Sequence, residues 1–340
     1  MVYSCLRVTL QLAAPITARA RWRVPVWALF AVTAALPRMG VAAQLAPPQP
    51  RQPGRLAVDA ISVPLNPQDP AAITAGDFEY AGGLVLTSSQ TNLLHELSDI
   101  ILVGPDRFVA VGDEGTLLEA RLVLDDSGRL AGVADADISR LIGEDGKPVF
   151  GPDADAEGLA LLPMGDRIVS FETRARILRY PKAGGPPRRA PAPRVPFPPA
   201  AGMEALTARP DLGVDAYMVG SEDSGETWVC RLRSLCLKGP TIDKPREYGL
   251  VAMTWISEGT IAYLLRAYDP VHGVRITMTV RRGTAEIARM DLAAPMTVDN
   301  FEGLTSMLRP DGKRRFYLIS DDNNRASERT LLMAFDWVPR

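Results

Sequence analysis

Asp155-Ala-Glu-Gly-Leu159 returns as Gly202-Met-Glu-Ala-Leu206 and again as Asn300-Phe-Glu-Gly-Leu304, each time opening an apolar, strand-like unit that closes on an acidic residue. A phrase recurring at intervals of roughly 45 to 60 residues marks a repeat fold. A glutamate kept at the same place in the phrase points to a site that the repeats share.

Setting the chain in register on this phrase gives five units, opening near Leu97-Ser-Asp-Ile100, Ala156-Glu-Gly-Leu159, Met203-Glu-Ala-Leu206, Tyr248-Gly-Leu250 and Phe301-Glu-Gly-Leu304. Each runs through a polar turn into a second strand, such as Arg107-Phe-Val-Ala-Val111 or Arg315-Phe-Tyr-Leu-Ile319, and then into a third. Short apolar runs bounded by Gly, Pro, Asp and Asn are strand signals, and amphipathic helical patterns are almost absent. The reading is an all-β chain forming a single β-propeller. Leu56 to Leu94 is expected to supply outer strands that pair with the C-terminal unit and close the ring. Five units plus this segment predict six blades, with five or seven as alternatives. Asp125 to Asp153 and the Pro-rich stretch Pro181 to Pro199 read as insertions, the second as an exposed loop.

The first 43 residues carry Arg7, Arg19, Arg21 and Arg23 and no acid, followed by the apolar run Val24 to Leu36 and then Val41-Ala-Ala43. That is the pattern of a cleaved export signal, and the run is short for a membrane span. Residues 44–55 read as a Pro-rich linker and 56–340 as the propeller domain. Loss of 1–43 takes the basic count from 38 to 33 against 40 acids, a net charge of about −7. Such a chain is a poor partner for nucleic acid. It keeps no membrane span after processing, and a periplasmic or secreted monomer is expected. Cys230 and Cys236 are the cysteines that remain. An even pair in an exported chain predicts a disulfide across a tight strand connection, two buried thiols being the alternative. His95 and His272 lack the spacing to make a zinc site with them.

In a propeller the first strand of each blade lines the channel, so equivalent positions become neighbours. The phrase position gives Ser98, Glu157, Glu204, Tyr248 and Glu302, and the end of the second strand gives Asp113, Glu172, Glu222, Arg266 and Asp321. Converging carboxylates repel one another unless a cation or an arginine neutralises them. Many hard oxygen ligands favour calcium over zinc, so Glu157, Glu204, Glu302 and Asp113 are the candidate ligands of a divalent cation. Asp153-Ala-Asp155-Ala-Glu157-Gly158 opens like a calcium loop, but Met164 at the twelfth place excludes an EF-hand. The alternative is that these acids cap strand turns. Glu172 and Asp321 are candidate proton acceptors and Arg266 a candidate for offsetting developing charge. Arg174 and Arg325, just beyond second strands, are candidates for binding an anionic substrate, with ion-pairing to nearby acids as the alternative. His95 is a weaker candidate base. No nucleophile elbow, P-loop, dinucleotide fingerprint or HExxH is present.

The motifs together resemble those of the phytase-like family described as having esterase-like activity of phytase. The carrying residues are Glu96-Leu-Ser-Asp99 with Val111-Gly-Asp-Glu-Gly115, then Asp155-Ala-Glu-Gly-Leu159 with Phe171-Glu-Thr-Arg174 and Arg176-Ile-Leu-Arg-Tyr180. Gly202-Met-Glu-Ala-Leu206 and the run from Asn300 through Ile319-Ser-Asp-Asp-Asn323 to Phe335 complete it, so the likeness covers about 78 to 338. The resemblance implies an exported propeller, related in architecture to calcium-dependent propeller phytases and lactonases, that hydrolyses phosphate or carboxylic esters. Ser98, Tyr248 and Arg266 depart from an all-acid pattern, which argues for one or two cations rather than a dense multi-calcium site. The rival reading is a non-catalytic propeller that binds a ligand or protein and holds a structural cation.

Overall fold

The computed structural model describes residues 55–198 and 201–338. The expected export signal and nearly all of the linker lie outside these residues.

Among these residues twenty-three short strands gather into five sheets. The first blade runs Leu97–Leu102, Arg107–Gly112, Thr116–Leu124 and Leu130–Arg140 from the inside outward, with Arg55–Leu56 on its outer edge. The second is Ala156–Leu161, Arg167–Phe171, Arg176–Tyr180 and Arg188–Ala190, and the third Leu206–Ala208, Ala216–Gly220, Thr227–Arg231 and Leu237–Lys238. Gly249–Ser257, Thr260–Asp269, Gly273–Arg282 and Ala285–Leu292 form the fourth. In the fifth, Asn300–Leu308, Arg314–Asp321 and Leu331–Trp337 are completed by three strands from the start of the domain, Phe78–Thr87, Asp59–Ser62 and the short Thr74–Ala75, which pairs with Phe78–Thr87. Each inner strand contacts the next, and the fifth returns to the first, which closes the ring.

The ring therefore has five blades, not six. The segment from Leu56 to Leu94 does pair with the C-terminal unit, Val85 opposite Leu331 and Phe78 opposite Trp337. It makes no blade of its own because the C-terminal unit ends after three strands and needs an outer one. The two supposed insertions are outer strands as well: Leu130–Arg140 lies in the first, and Arg188–Ala190 in the Pro-rich stretch.

Five apolar layers hold the blades, one at each interface. Phe171, Val109 and Leu159 pack between blades one and two, Tyr217 and Ile168 between two and three, and Met218 and Leu265 between three and four. Leu264 and Phe316 join four to five, and Ile100 and Tyr317 join five to one. At the axis the inner strands approach closely enough to dictate glycine. A Cβ on Gly158 would lie 2.3 Å from the Glu204 carbonyl oxygen, and one on Gly303 would lie 2.8 Å from the Asp99 Cα. The Gly of the Glu-Gly phrase is thus a packing requirement imposed by the neighbouring blade.

Asp99 ties the ring at its centre. Its carboxylate, 3% exposed, accepts hydrogen bonds from the backbone N–H of Ile100 (2.8 Å), of Leu159 in the second blade (2.7 Å) and of Leu304 in the fifth (3.2 Å). Cys230 and Cys236 form a disulfide across the connection between the last two strands of the third blade, as the spacing predicts. No helix among the described residues is long and apolar enough to cross a membrane.

Candidate functional site

Four of the five inner strands carry a β-bulge or register shift at the phrase position, and it sets the true register. Pairing with the second strand skips Ser98 in the first blade, Glu157 and Gly158 in the second, Val251 in the fourth and Glu302 in the fifth. An extra residue in one strand bends it and re-aims a side chain. The expected Tyr248 is therefore corrected to Val251, three residues on. The Gly-Leu of Tyr248-Gly-Leu250 mimics the phrase, but Gly249 pairs with Arg266 as Asn300 pairs with Asp321. Tyr248 stands outside the ring, under the Arg275 guanidinium.

The second register survives in all five blades. Asp113, Glu172 and Glu222 donate their backbone N–H to the carbonyls of Glu96, Asp155 and Gly202, while Arg266 and Asp321 pair with Gly249 and Asn300. In two blades a glycine makes room for the acid. A Cβ on Gly202 would be 2.8 Å from Glu172 Cγ, and one on Gly249 would be 2.4 Å from Glu222 Oε1.

These two registers build a centre with two unlike halves. In one half Asp113, Asp155 and Glu157 place a carboxylate oxygen each within 4.8 Å of the others, close enough for all three to hold one metal ion. Ser98 Oγ donates to Asp113 Oδ1 at 2.5 Å, and the Thr173 backbone N–H donates to Asp155 Oδ2 at 2.7 Å, with the Thr173 hydroxyl on the same oxygen. Such outer partners fix the direction of metal-binding carboxylates. Arg176 packs 3.9 Å over Phe171 and donates to the Asp153 carbonyl, holding the turn that delivers Asp155. Glu157 is 9% exposed, and its carboxylate has no hydrogen-bond partner among the described residues. Burial, then the charges of Asp113, Glu204, Glu302 and Asp155, push its carboxyl well above the ordinary range. Asp113 is pushed up to about 8, by burial first and by Asp321, Asp155 and Glu96, with the Ser98 hydrogen bond working the other way.

In the other half the cation is built in. Arg266 Nη1 donates to Asn300 Oδ1 at 2.5 Å and to Glu302 Oε1, and its Nη2 donates to Glu222 Oε1 at 3.1 Å. The acids raise its already high pKa despite burial. Asn300 also donates to Glu302 Oε1 (2.9 Å) and Asp321 Oδ2 (3.1 Å), which links this half to Asp321. Asp321 is pushed up to about 6, mainly by burial. Glu204 lies between the halves, 9% exposed, and its Oε2 is buried with no partner among the described residues.

Of the sequence-predicted ligands, then, the fold groups Asp113 and Glu157 with Asp155, puts Glu302 on Arg266, and leaves Glu204 between them. Asp155 stands in the quoted phrase and in the alternating-acid run, so its signal was present. Asn300 stands at the same place in its own phrase, and Asp99 in the opening of the first unit, but neither role could be read there, because Asn300 meets Arg266 of the fourth blade and Asp99 meets Leu159 and Leu304 of the second and fifth. Glu172 Oε1 accepts the Gly202 N–H at 2.8 Å. Arg174 and Arg325 are 62% and 64% exposed and pair with Asp153 (2.6 Å) and Glu328 (2.9 Å). His95 Nδ1 sits 3.0 Å from Glu96 Oε2 without the angle for a hydrogen bond, in a second group with Glu96 and Glu114. Arg140 already pairs with Glu114 at 3.2 Å.

Fold and centre together define a five-bladed propeller with an acidic, half-neutralised mouth. Residues 92–324 match the phytase-like family model described as esterase-like activity of phytase, and the chain belongs to that family. No curated protein matches it. Among solved structures it is similar to catalytically inactive virginiamycin B lyase from Staphylococcus aureus with quinupristin, at 11% identity over 83% of this chain and 100% of that one, with a TM-score of 0.43. It is also similar to the Malassezia sympodialis allergen Mala s 1, at 10% identity over 82% of this chain and 96% of that one, with a TM-score of 0.44.

Proposed function

We propose that the chain is a cation-dependent hydrolase of phosphate or carboxylic esters that works at the acidic mouth. The observation that carries this reading is Glu157, a buried carboxylate without a hydrogen-bond partner among the described residues, facing Asp113 and Asp155 at ligand spacing. An all-oxygen donor set of this kind suits a hard divalent cation of the calcium class. Asp113, Asp155 and Glu157 hold it, with Glu204 in reserve between the halves. When bound, the cation supplies Lewis-acid polarisation of an ester oxygen. Asp321 or Glu172 accepts the proton of the attacking water, and Asn300 fixes the direction of Asp321. Arg266 balances charge that develops beside Glu302. Arg174 and Arg325 meet the anionic part of the substrate at the rim, since exposed ion pairs exchange partners at little cost.

On this reading the processed chain begins near residue 44 after loss of an export signal, and its 56–340 domain works in a periplasmic or secreted monomer. The Cys230–Cys236 disulfide supports an oxidising compartment. A second reading, a binding module with a structural cation, is favoured by one observation. Asp113 and Asp155 come from neighbouring blades, so an ion between them also staples the ring.

The test is a screen of aryl phosphate and short carboxyl esters with residues 44–340, in EDTA and in calcium, magnesium or manganese, beside Glu157→Gln. Turnover that requires the ion and is lost in the variant is the expected result. Ion binding without turnover of either ester class leaves the binding module.

A further inference from the structure

We infer that Arg266 occupies the place of a second cation, so that the centre takes one divalent ion per chain, in the half built by Asp113, Asp155 and Glu157. The inference rests on the proposed cation-dependent centre and fixes its stoichiometry and its internal division.

Geometry separates the halves. The five equivalent second-strand ends are acidic except in the fourth blade, where Arg266 stands. The same blade has Val251 at the bulge, so it contributes no carboxylate to either register. Arg266 reaches across two blade boundaries, to Glu222 in the third blade and to Glu302 and Asn300 in the fifth. A guanidinium keeps its charge at any accessible pH and presents a fixed fork of donors. Three acceptors already occupy that fork, and a divalent ion on the same carboxylates would meet a permanent positive charge. The opposite half has three carboxylates against the two on Arg266, and among the described residues no basic side chain donates to them. Among the described residues Asp113 and Asp155 receive only neutral donors, Ser98 and Thr173, and Glu157 receives none. Hard-ion affinity therefore concentrates on one side. Removing Arg266 leaves Glu222, Glu302 and the partnerless Glu204 Oε2 facing one another, which is the composition of a second oxygen-lined site.

The experiment measures calcium per chain by equilibrium dialysis on residues 44–340, with melting temperature in EDTA and in calcium alongside. One ion is expected for the wild type and two for Arg266→Gln, with a larger calcium-driven rise in melting temperature in the variant. A count of one in folded Arg266→Gln, or of two in the wild type, overturns the inference and leaves the cation-dependent centre standing. No binding of calcium, magnesium or manganese by the wild type removes that centre itself. Should Arg266→Gln be insoluble, the wild-type background decides through two other variants. Glu302→Gln is expected to keep calcium affinity within about fivefold, whereas Glu157→Gln loses at least about tenfold. Equal losses in the two overturn the division.

Discussion

The two halves of the centre solve one electrostatic problem in opposite ways. Around Arg266 the carboxylates of Glu222 and Glu302 are satisfied by a side chain that folds with them, so that half is complete in the polypeptide itself. Around Glu157 the acids of the first and second blades meet, among the described residues, with only hydroxyl and backbone donors, and burial and mutual repulsion raise the pKa values of Glu157 and Asp113. The contrast teaches that a ring of equivalent positions need not be a ring of equivalent function. One basic substitution in one repeat gives half of it a built-in counter-charge and leaves the other half without one.

The largest effect expected from breaking this contrast is at the arginine. Arg266→Met strips the counter-charge from Glu302 and Glu222 and should cost about 3 kcal/mol of unfolding free energy in EDTA. Urea denaturation measures it, and a change under about 1 kcal/mol would show that the pair is not holding the ring.

Glu157→Gln should act in the opposite direction. Without metal it relieves a buried, crowded carboxylate and stabilises the chain by about 1 kcal/mol. With calcium the wild type gains stability and the variant gains little. A variant less stable than the wild type in EDTA would mean that Glu157 is structural, like Glu302.

The pH response follows from the same crowding. Asp113 at about 8 and Asp321 at about 6 lie above the ordinary Asp value of 3.8, so the folded chain binds more protons than the unfolded one across that window. Their contribution is fully present below about pH 4 and is lost as pH rises through 6 and then 8. Melting temperature in EDTA should fall from pH 5 to pH 8, and calcium should flatten the slope. A rise over this range would contradict the raised pKa values of Asp113 and Asp321.

Ser98→Ala is the gentlest probe. It removes the hydroxyl that directs Asp113 and should weaken calcium binding by about tenfold, with stability in EDTA changed by under about 1 kcal/mol. Unchanged affinity in a dialysis titration would take Asp113 out of the ligand set.

Much of this architecture was open to reading along the chain. The Glu-Gly phrase exposes the repeat because the propeller axis leaves no room for a side chain at Gly158 or Gly303, so the constraint is written in the sequence. The second-strand ends were legible for a similar reason, since each terminates a strand that starts at a recognisable turn. The fourth blade misled because its inner strand lacks both the acid and the glycine of the phrase. Tyr248-Gly-Leu250 then offered a false anchor, and only pairing with the second strand places Val251 at the bulge. The blade count failed for a different reason. Whether Phe78–Thr87 starts a blade or completes one depends on where the C-terminal unit stops, a contact between residues some 250 positions apart.

What the sequence determined by itself is local and periodic: the strands, the repeat, the acids carried at matching places, and the cysteine pair. Tertiary structure alone decided which of those acids meet. Glu157 and Glu302 occupy identical places in their repeats, yet Glu302 lies beside the fourth blade, which holds Arg266, and Glu157 lies beside the first, which holds Asp113 and Ser98. The charge that a carboxylate faces comes from the neighbouring blade, and neighbourhood around a closed ring is a property of the fold.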